Sequence, residues 1–210
     1  AAVDQALDRE FLLEQLSGDV IEGGQSFWPE REESPKEATH SADSVDILRA
    51  SGYTGEPLVL ATIPQYENDA LLVQRTLALS GVPVNIRLIP TEQFQGMERM
   101  SADLLLFAIM LDEQRELRLI DLFTSIAQHA SPDLREMLQS SVGRILAEPD
   151  ATRRAELFVE IERMLKAGHS LLFLYRKNLK TAFHPSVRGI SLDSLGWVRF
   201  RDIWFSNQPV

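Results

Sequence analysis

Short apolar segments bounded by turn residues are the most regular feature of the chain. Residues 57–63 (PLVLATI) and 102–109 (ADLLLFAI) are almost continuously apolar, as buried strands are, and residues 83–89 (PVNIRLI) alternate like a strand. A helical pattern capped at Asn68 separates the first two strands along the chain, and a shorter one, 91–100, separates the second from the third. This β-α-β-α-β order predicts an α/β fold with a mainly parallel sheet, right-handed crossovers and helices on both faces.

Helical patterns flank this α/β region on both sides. An opening helix is predicted to end at Gly18, and three helices follow the third strand: over 115–128, from a cap at Ser131, and from a cap at Asp150. Residues 170–175 (SLLFLY) predict another buried strand. The aromatic tail after it ends in GWVRFRDIWF, and its tryptophans belong either to the core or to a surface that packs on a neighbouring element.

Composition narrows the function classes. The 210 residues are 44% hydrophobic and 25% charged, as in packed globular domains, and the absence of cysteine excludes disulfides, zinc-thiolate sites and cysteine nucleophiles. A net charge of −10 disfavours DNA binding by this chain itself. No run approaches the roughly 20 apolar residues of a membrane span, so we expect no membrane insertion. The first residue is not methionine, and we expect a piece of a longer protein.

No catalytic or metal-binding motif stands out. The four histidines, His40, His129, His169 and His184, have no ligand spacing between any two, which predicts no metal site. The chain has no nucleophile elbow, glycine-rich phosphate loop or zinc-protease motif. We therefore predict a protein that is not an enzyme and that has no catalytic residues and no cofactor.

Topology alone indicates where a ligand would bind. Open α/β sheets bind ligands at the carboxyl ends of their strands. The predicted contacts follow the first and third strands: Thr62, Gln65 and Tyr66 (with Pro64), then Met110 and Asp112. Tyr66 offers an aromatic face and a hydroxyl, whereas Asp112 suits a cationic or hydroxylated ligand. The alternative for each is an ordinary loop residue.

Five passages occur in the order found in one known family. They are AAVDQALDREFLLEQLSGDVIEGGQSFWPE, DSVDILRASGYTGEPLVLAT, LALSGVPVNIRLIPTEQF, ADLLLFAIMLDE with DLFTS, and the closing pair of helices followed by a strand and the turn HPSVRGI. In this they resemble the family 5 extracellular solute-binding proteins, which serve oligopeptide and nickel ABC importers. The resemblance implies a type 2 periplasmic-binding-protein-like lobe. Residues 1–170 would form the second lobe, and 171–210 the strand and tail that return toward the first lobe.

The tail refines the resemblance. HPSVRGISLDSLGWVRFRDIWF is similar to the C-terminal end of SgrR-type transcription regulators, which join a winged helix-turn-helix to a ligand-sensing domain of this kind. The resemblance implies a cytoplasmic sensor of a sugar, sugar phosphate or short peptide. It would signal by lobe closure and contact DNA only through a separate N-terminal domain. The alternative is an extracytoplasmic receptor of an ABC importer. Importers carry a Trp and a DYPDP-like segment after the third strand; this chain has IMLDEQRE, so only Asp112 matches the family's acidic cleft position.

Overall fold

A computed structural model describes residues 1–16, 20–22, 26–28, 49–50, 52–111, 114–177, 182–191 and 198–206, and the structural statements below concern these residues. They contain six helices and seven strands. In chain order these are α1 (Ala2–Ala6), α2 (Arg9–Gln15), β1 (Val20–Glu22), β2 (Leu58–Thr62), α3 (Glu67–Leu79), β3 (Val84–Leu88), β4 (Leu104–Leu105), α4 (Arg115–His129), α5 (Pro132–Ala147), α6 (Ala151–Ala167), β5 (Arg176–Lys177), β6 (Val187–Arg188) and β7 (Trp204–Phe205).

A three-stranded parallel sheet forms the centre, in the order β3-β2-β4. The register pairs Leu58 of β2 with Val84 of β3 along the whole strand, and Leu60 with Leu104 of β4. The parallel arrangement follows from the crossover segments between the strands, and it confirms the predicted α/β class. The third strand is much shorter than its apolar run predicted, because pairing with β2 covers only Leu104–Leu105.

The crossover from β2 to β3 closes at a glycine, as predicted. The Val82 amide donates to the Leu77 carbonyl at 2.8 Å, and Gly81 takes the left-handed conformation that this turn requires, with φ +78°. With Asn68 as its cap the helix would begin at Asp69, but it begins two residues earlier, at Glu67, because a 3₁₀ turn at Pro64–Tyr66 leads directly into it. The predicted helix over 91–100 is instead two 3₁₀ turns, Thr91–Gln93 and Met97–Ser101.

Side-chain caps define two of the helix starts. Asp150 accepts a hydrogen bond from the Arg153 amide at 2.9 Å at the start of α6, which confirms the predicted cap. Asp8 does the same for the Phe11 amide at 2.9 Å, so the predicted opening helix is two helices, α1 and α2. The predicted end of that helix, Gly18, lies outside the described residues.

Helices cover the sheet layer on both faces. The first core joins α1, α2 and α3 to the sheet: Ala2, Ala6, Leu7, Leu12, Leu60, Ala70, Val73, Leu77, Val82 and Val84. The second core joins α4, α5 and α6: Phe27, Trp28, Leu119, Leu122, Phe123, Ala127, Leu138, Ile145, Phe158, Ile161 and Leu165. Residues 171–175 pass between the cores, with Leu172 and Leu174 in the first and Leu171 and Phe173 in the second. This confirms a sheet layer with helices on both faces.

The chain leaves this layer through β5, which pairs antiparallel with β1. Residues 170–175 predicted a strand, but strand pairing begins only at Arg176–Lys177. In the tail β6 pairs antiparallel with β7, and Phe200, Trp204 and Phe205 are 78%, 57% and 70% exposed. Trp28, by contrast, is buried in the second core. Trp197 lies outside the described residues.

No helix in the described ranges is both long enough and apolar enough to cross a membrane.

Candidate functional site

The carboxyl ends of the three parallel strands meet at one edge of the sheet, here called the carboxyl edge. Thr62, the last residue of β2, lies in register with Leu88, the last residue of β3, and β4 ends one position earlier at Leu105. Leu88, Phe107 and Met110 are 40%, 39% and 39% exposed. The edge therefore presents apolar side chains to solvent beside the loops where ligands of open α/β sheets bind.

Thr62 ties the edge together. Its side chain is fully buried, and its hydroxyl donates to the Leu106 carbonyl at 2.8 Å. Its own carbonyl accepts from the Ile89 amide at 2.8 Å, so one residue holds the ends of all three strands. The predicted contact at Thr62 is therefore a residue whose polar atoms are already bonded within the sheet.

The other predicted contacts lie on the segments that leave the sheet. Pro64 and Gln65 are exposed and Tyr66 is half-buried in the 3₁₀ turn that precedes α3. Met110 is half-exposed between residues that pack against the second core. Asp112 lies outside the described residues. The structure thus brings the segments after β2 and β4 to the same edge.

A polar group that sequence reasoning missed lies beside Tyr66. Asp69, in the first turn of α3, has a side chain that is only 7% exposed. It accepts hydrogen bonds at Oδ1 from the Tyr175 hydroxyl and from Lys177 Nζ, both at 2.5 Å. Tyr66, Asp69, Tyr175 and Lys177 are called the Asp69 cluster below.

The electrostatics of the Asp69 cluster keep Tyr175 protonated. Burial raises the pKa of its phenol, and the hydrogen bond and negative charge of Asp69 raise it further, with a smaller contribution from Tyr66. The phenol is therefore a hydrogen-bond donor throughout the physiological pH range. A buried carboxylate requires such donors, since an unpaired buried charge is costly.

The sequence offered little sign of this cluster. Asp69 stands in the first turn of a helix, where acidic residues are common because they favour the positive end of the helix dipole. Tyr175 ends an apolar run more than a hundred residues later, and Lys177 comes two residues after it. The only usable signal was that Asp69 comes soon after the carboxyl end of a strand.

The three described histidines lie in different parts of the fold. His169 Nδ1 lies 3.1 Å from Asp4 Oδ2, whereas His129 ends α4 and His184 precedes β6. His40 lies outside the described residues. Among the described residues, no group of three or more His, Cys, Asp or Glu side chains could hold a metal ion.

Two surface grooves lie away from the carboxyl edge. One of about 560 Å³ separates α5 from α6, and one of about 500 Å³ separates α4 from α5. Neither is lined by a predicted contact or by the Asp69 cluster, and both are open furrows between helices.

Comparison with known proteins identifies the fold. No family model matches the chain. YhjP, an uncharacterized protein of Bacillus subtilis, is 24% identical over 168 residues, a match that covers 77% of this chain and 29% of the relative.

Solved structures match almost the whole chain. The periplasmic binding protein DppA of Helicobacter pylori, in complex with the peptide STSA, gives a TM-score of 0.61 at 13% identity, covering 97% of this chain and 43% of its own. NikA of Staphylococcus aureus, in complex with Ni(L-His)2, gives a TM-score of 0.66 at 15% identity. This match covers 93% of this chain and 45% of NikA. The oligopeptide-binding protein AppA of Bacillus subtilis, in complex with a nonapeptide, gives a TM-score of 0.61 at 16% identity. This match covers 98% of this chain and 47% of AppA.

These neighbours are family 5 solute-binding proteins, and they are binding proteins rather than enzymes. The chain therefore has a periplasmic-binding-protein-like α/β fold, as predicted. It spans less than half the length of each of these structures and under a third of its curated relative.

Proposed function

We propose that this chain is a small-molecule-binding lobe of the solute-binding type, which holds its ligand against a second lobe. The observation that carries the proposal is the fold: 93–98% of the chain follows solute-binding proteins with TM-scores of 0.61–0.66. The carboxyl edge supports it, because its loops and apolar side chains are exposed to solvent, where a ligand can contact them. In this proposal residues 1–170 form the second lobe, and 171–210 return toward the first.

The ligand contacts in this proposal are Gln65, Tyr66, Met110 and Asp112, with Thr62 fixing the strand ends beneath them. Gln65 and Tyr66 supply an amide and a phenol on the turn after β2, and Met110 supplies an adaptable apolar surface. Such a mixture of apolar contact and a few polar groups is typical of small-molecule sites.

Closure of two lobes about a hinge would carry the signal. A ligand that contacts both lobes binds the closed state more tightly and shifts the population toward it. The shift cannot exceed the ratio of the ligand's affinities for the two states. One lobe alone makes half of the contacts, so we expect this chain to bind ligand only weakly.

The biological setting that we propose first is a sensor for a transcription regulator in the cytoplasm. Its support is the similarity of HPSVRGISLDSLGWVRFRDIWF to the end of SgrR-type regulators. The net charge of −10 is consistent with a division of labour in which a separate N-terminal domain contacts DNA. The ligand would be a sugar, a sugar phosphate or a short peptide.

A receptor for an ABC importer is the second candidate. DppA is described as an ABC transporter-associated periplasmic binding protein, and both DppA and AppA were solved with peptides. These neighbours favour an extracytoplasmic location and a peptide ligand.

Amide chemical shifts of the isotope-labelled chain test the binding proposal. Glucose, glucose 6-phosphate and N-acetyl-trialanine are titrated to about 10 mM, a range suited to the weak affinity of half a site. We expect the shifts that move to be those of residues 62–66 and 106–110. Binding confined to the groove between α4 and α5, or no binding by any of the three, would contradict the proposal.

The mass and N-terminal sequence of the intact native protein separate the two settings. A basic winged-helix module followed by a first lobe would support the regulator. A processed or lipidated N-terminus followed by the first lobe alone would support the importer receptor.

A further inference from the structure

The Asp69 cluster presents a positive charge at the carboxyl edge. Asp69 is buried and its Oδ1 already accepts two hydrogen bonds, whereas the Lys177 side chain is 38% exposed. A molecule that approaches from solvent therefore meets the ammonium group before the carboxylate. The ammonium has three N–H donors, and in the described part of the chain only Asp69 accepts one of them. No other described residue accepts a hydrogen bond from the remaining two.

The carboxylate and the phenol hold this ammonium in place. Lys177 Nζ is bonded to Asp69, and it also lies 5.5 Å from the centre of the Tyr175 ring. A lysine on the surface normally loses side-chain entropy when it grips a ligand. Lys177 has already lost part of that freedom, which favours binding.

The cluster also lies next to the predicted contacts. Asp69 is two residues beyond the start of α3, and Tyr66 is close enough to Tyr175 to influence its ionisation. The amino end of α3, a helix of 13 residues, adds a partial positive charge on the same side. Both features favour a negatively charged group at this position.

We propose that Lys177, held by Asp69 and Tyr175, anchors an anionic group of the small molecule that binds at the carboxyl edge. The group is a carboxylate or a phosphate, both of which accept hydrogen bonds from an ammonium. The inference rests on the proposed function, since it concerns the ligand of the same site. According to this inference, ligands that carry a carboxylate or a phosphate bind more tightly than neutral sugars.

Two matched pairs of probes test the charge preference. Glucose 6-phosphate is compared with glucose, and N-acetyl-trialanine with N-acetyl-trialanine amide, so that each pair differs in one anionic group. Dissociation constants are taken from the amide shifts of residues 62–69 and 175–177. We expect the charged member of at least one pair to bind about tenfold more tightly, as a charge-assisted hydrogen bond provides. The pair that shows the difference identifies phosphate or carboxylate.

Lys177→Met removes the charge and keeps most of the side-chain volume. Lys166→Met is the matched control, because Lys166 is 40% exposed and pairs with Glu162, whose side chain is also only 7% exposed, at 3.9 Å on α6. We expect Lys177→Met to abolish the preference for the charged probe, and Lys166→Met to keep it. Lys177→Arg should restore it, which covers the case in which the methionine variant does not fold.

The outcomes separate this inference from the proposed function. If both members of each pair bind equally at residues 62–66, the binding lobe stands and the anion anchor is wrong. If the preference persists in Lys177→Met, another group supplies it and the anchor is again wrong. If no probe binds at the carboxyl edge, the proposed function fails and this inference fails with it.

Discussion

Replacing Thr62 by valine would test whether the carboxyl edge depends on one hydroxyl. Valine has the shape of threonine but no donor, so Thr62→Val leaves the Leu106 carbonyl without its hydrogen bond at 2.8 Å. In the described part of the chain no other group donates to that carbonyl. Thr62 is fully buried and Leu106 is partly buried, so the carbonyl lies beneath a side chain that water does not reach directly.

The expected cost is that of an unsatisfied buried acceptor, roughly 1–3 kcal/mol. For a domain of this size, that is a fall in Tm of roughly 2–12 °C. Thr76→Val is the matched control. Thr76 is also buried, but its hydroxyl donates at 3.0 Å to the Val73 carbonyl, which a helix amide already satisfies. Loss of the Thr76 hydroxyl should therefore lower the free energy of unfolding by less than about 1 kcal/mol.

Urea unfolding followed by circular dichroism measures both variants. Unchanged m-values would show that the comparison reports the folded state. Equal free energies of unfolding for the two valine variants would refute the reasoning. A Thr62→Val protein with wild-type stability and lost ligand binding would instead make Thr62 a direct ligand contact.

Three further predictions concern backbone, pH and charge. A methyl group at Gly189 would lie 1.9 Å from the Asp202 carbonyl oxygen at φ +71°, so Gly189→Ala should cost about 2 kcal/mol or more in thermal unfolding. Gly143→Ala, in an open position of α5, should raise the free energy of unfolding by about 0.5–1 kcal/mol. A Gly189→Ala protein more stable than the Gly143→Ala protein would contradict both predictions. Burial raises the pKa of Asp4, but the hydrogen bonds and positive charges of Arg9 and His169 together outweigh it, so the net shift is downward. The resulting stability is present above the ordinary pKa of 3.8 and is lost as the pH falls through the folded value, and Asp4→Asn should flatten that part of the stability profile. The net charge of −10 predicts no mobility shift of duplex DNA at micromolar chain and physiological salt; a salt-dependent shift would show otherwise.

The sequence predicted the elements whose signals are local. Strands β2 and β3 lie within the apolar segments at 57–63 and 83–89, because turn residues bound both. The start of α6 follows from Asp150, whose carboxylate reaches an amide three residues ahead. Caps and glycine turns act over a few residues, so sequence alone can locate them.

The errors arise where a local pattern competes with another contact. The apolar pattern at the start of the chain predicted one helix, but Asp8 caps a second helix and so divides the segment into two. The apolar run at 102–109 promised a long strand, yet only two residues pair with β2. The following residues, Ile109 and Leu111, pack on the second core instead. Hydrophobicity predicts that these residues are partly buried, but tertiary packing determines which elements they contact.

The Asp69 cluster shows why the side-chain contacts at the carboxyl edge were harder to predict than the position of that edge. Topology located the carboxyl edge, but Asp69 and Lys177 are brought together only by folding. The charge total would also mislead, because a net charge of −10 suggests repulsion of anions. At physiological salt the field of exposed charges is screened over about 8 Å, so distant carboxylates contribute little at the edge. A ligand there responds mainly to groups within contact distance, and the ammonium of Lys177 is the exposed charge of this cluster. An acidic chain can therefore select an anion, provided that one cation is held at the point of contact.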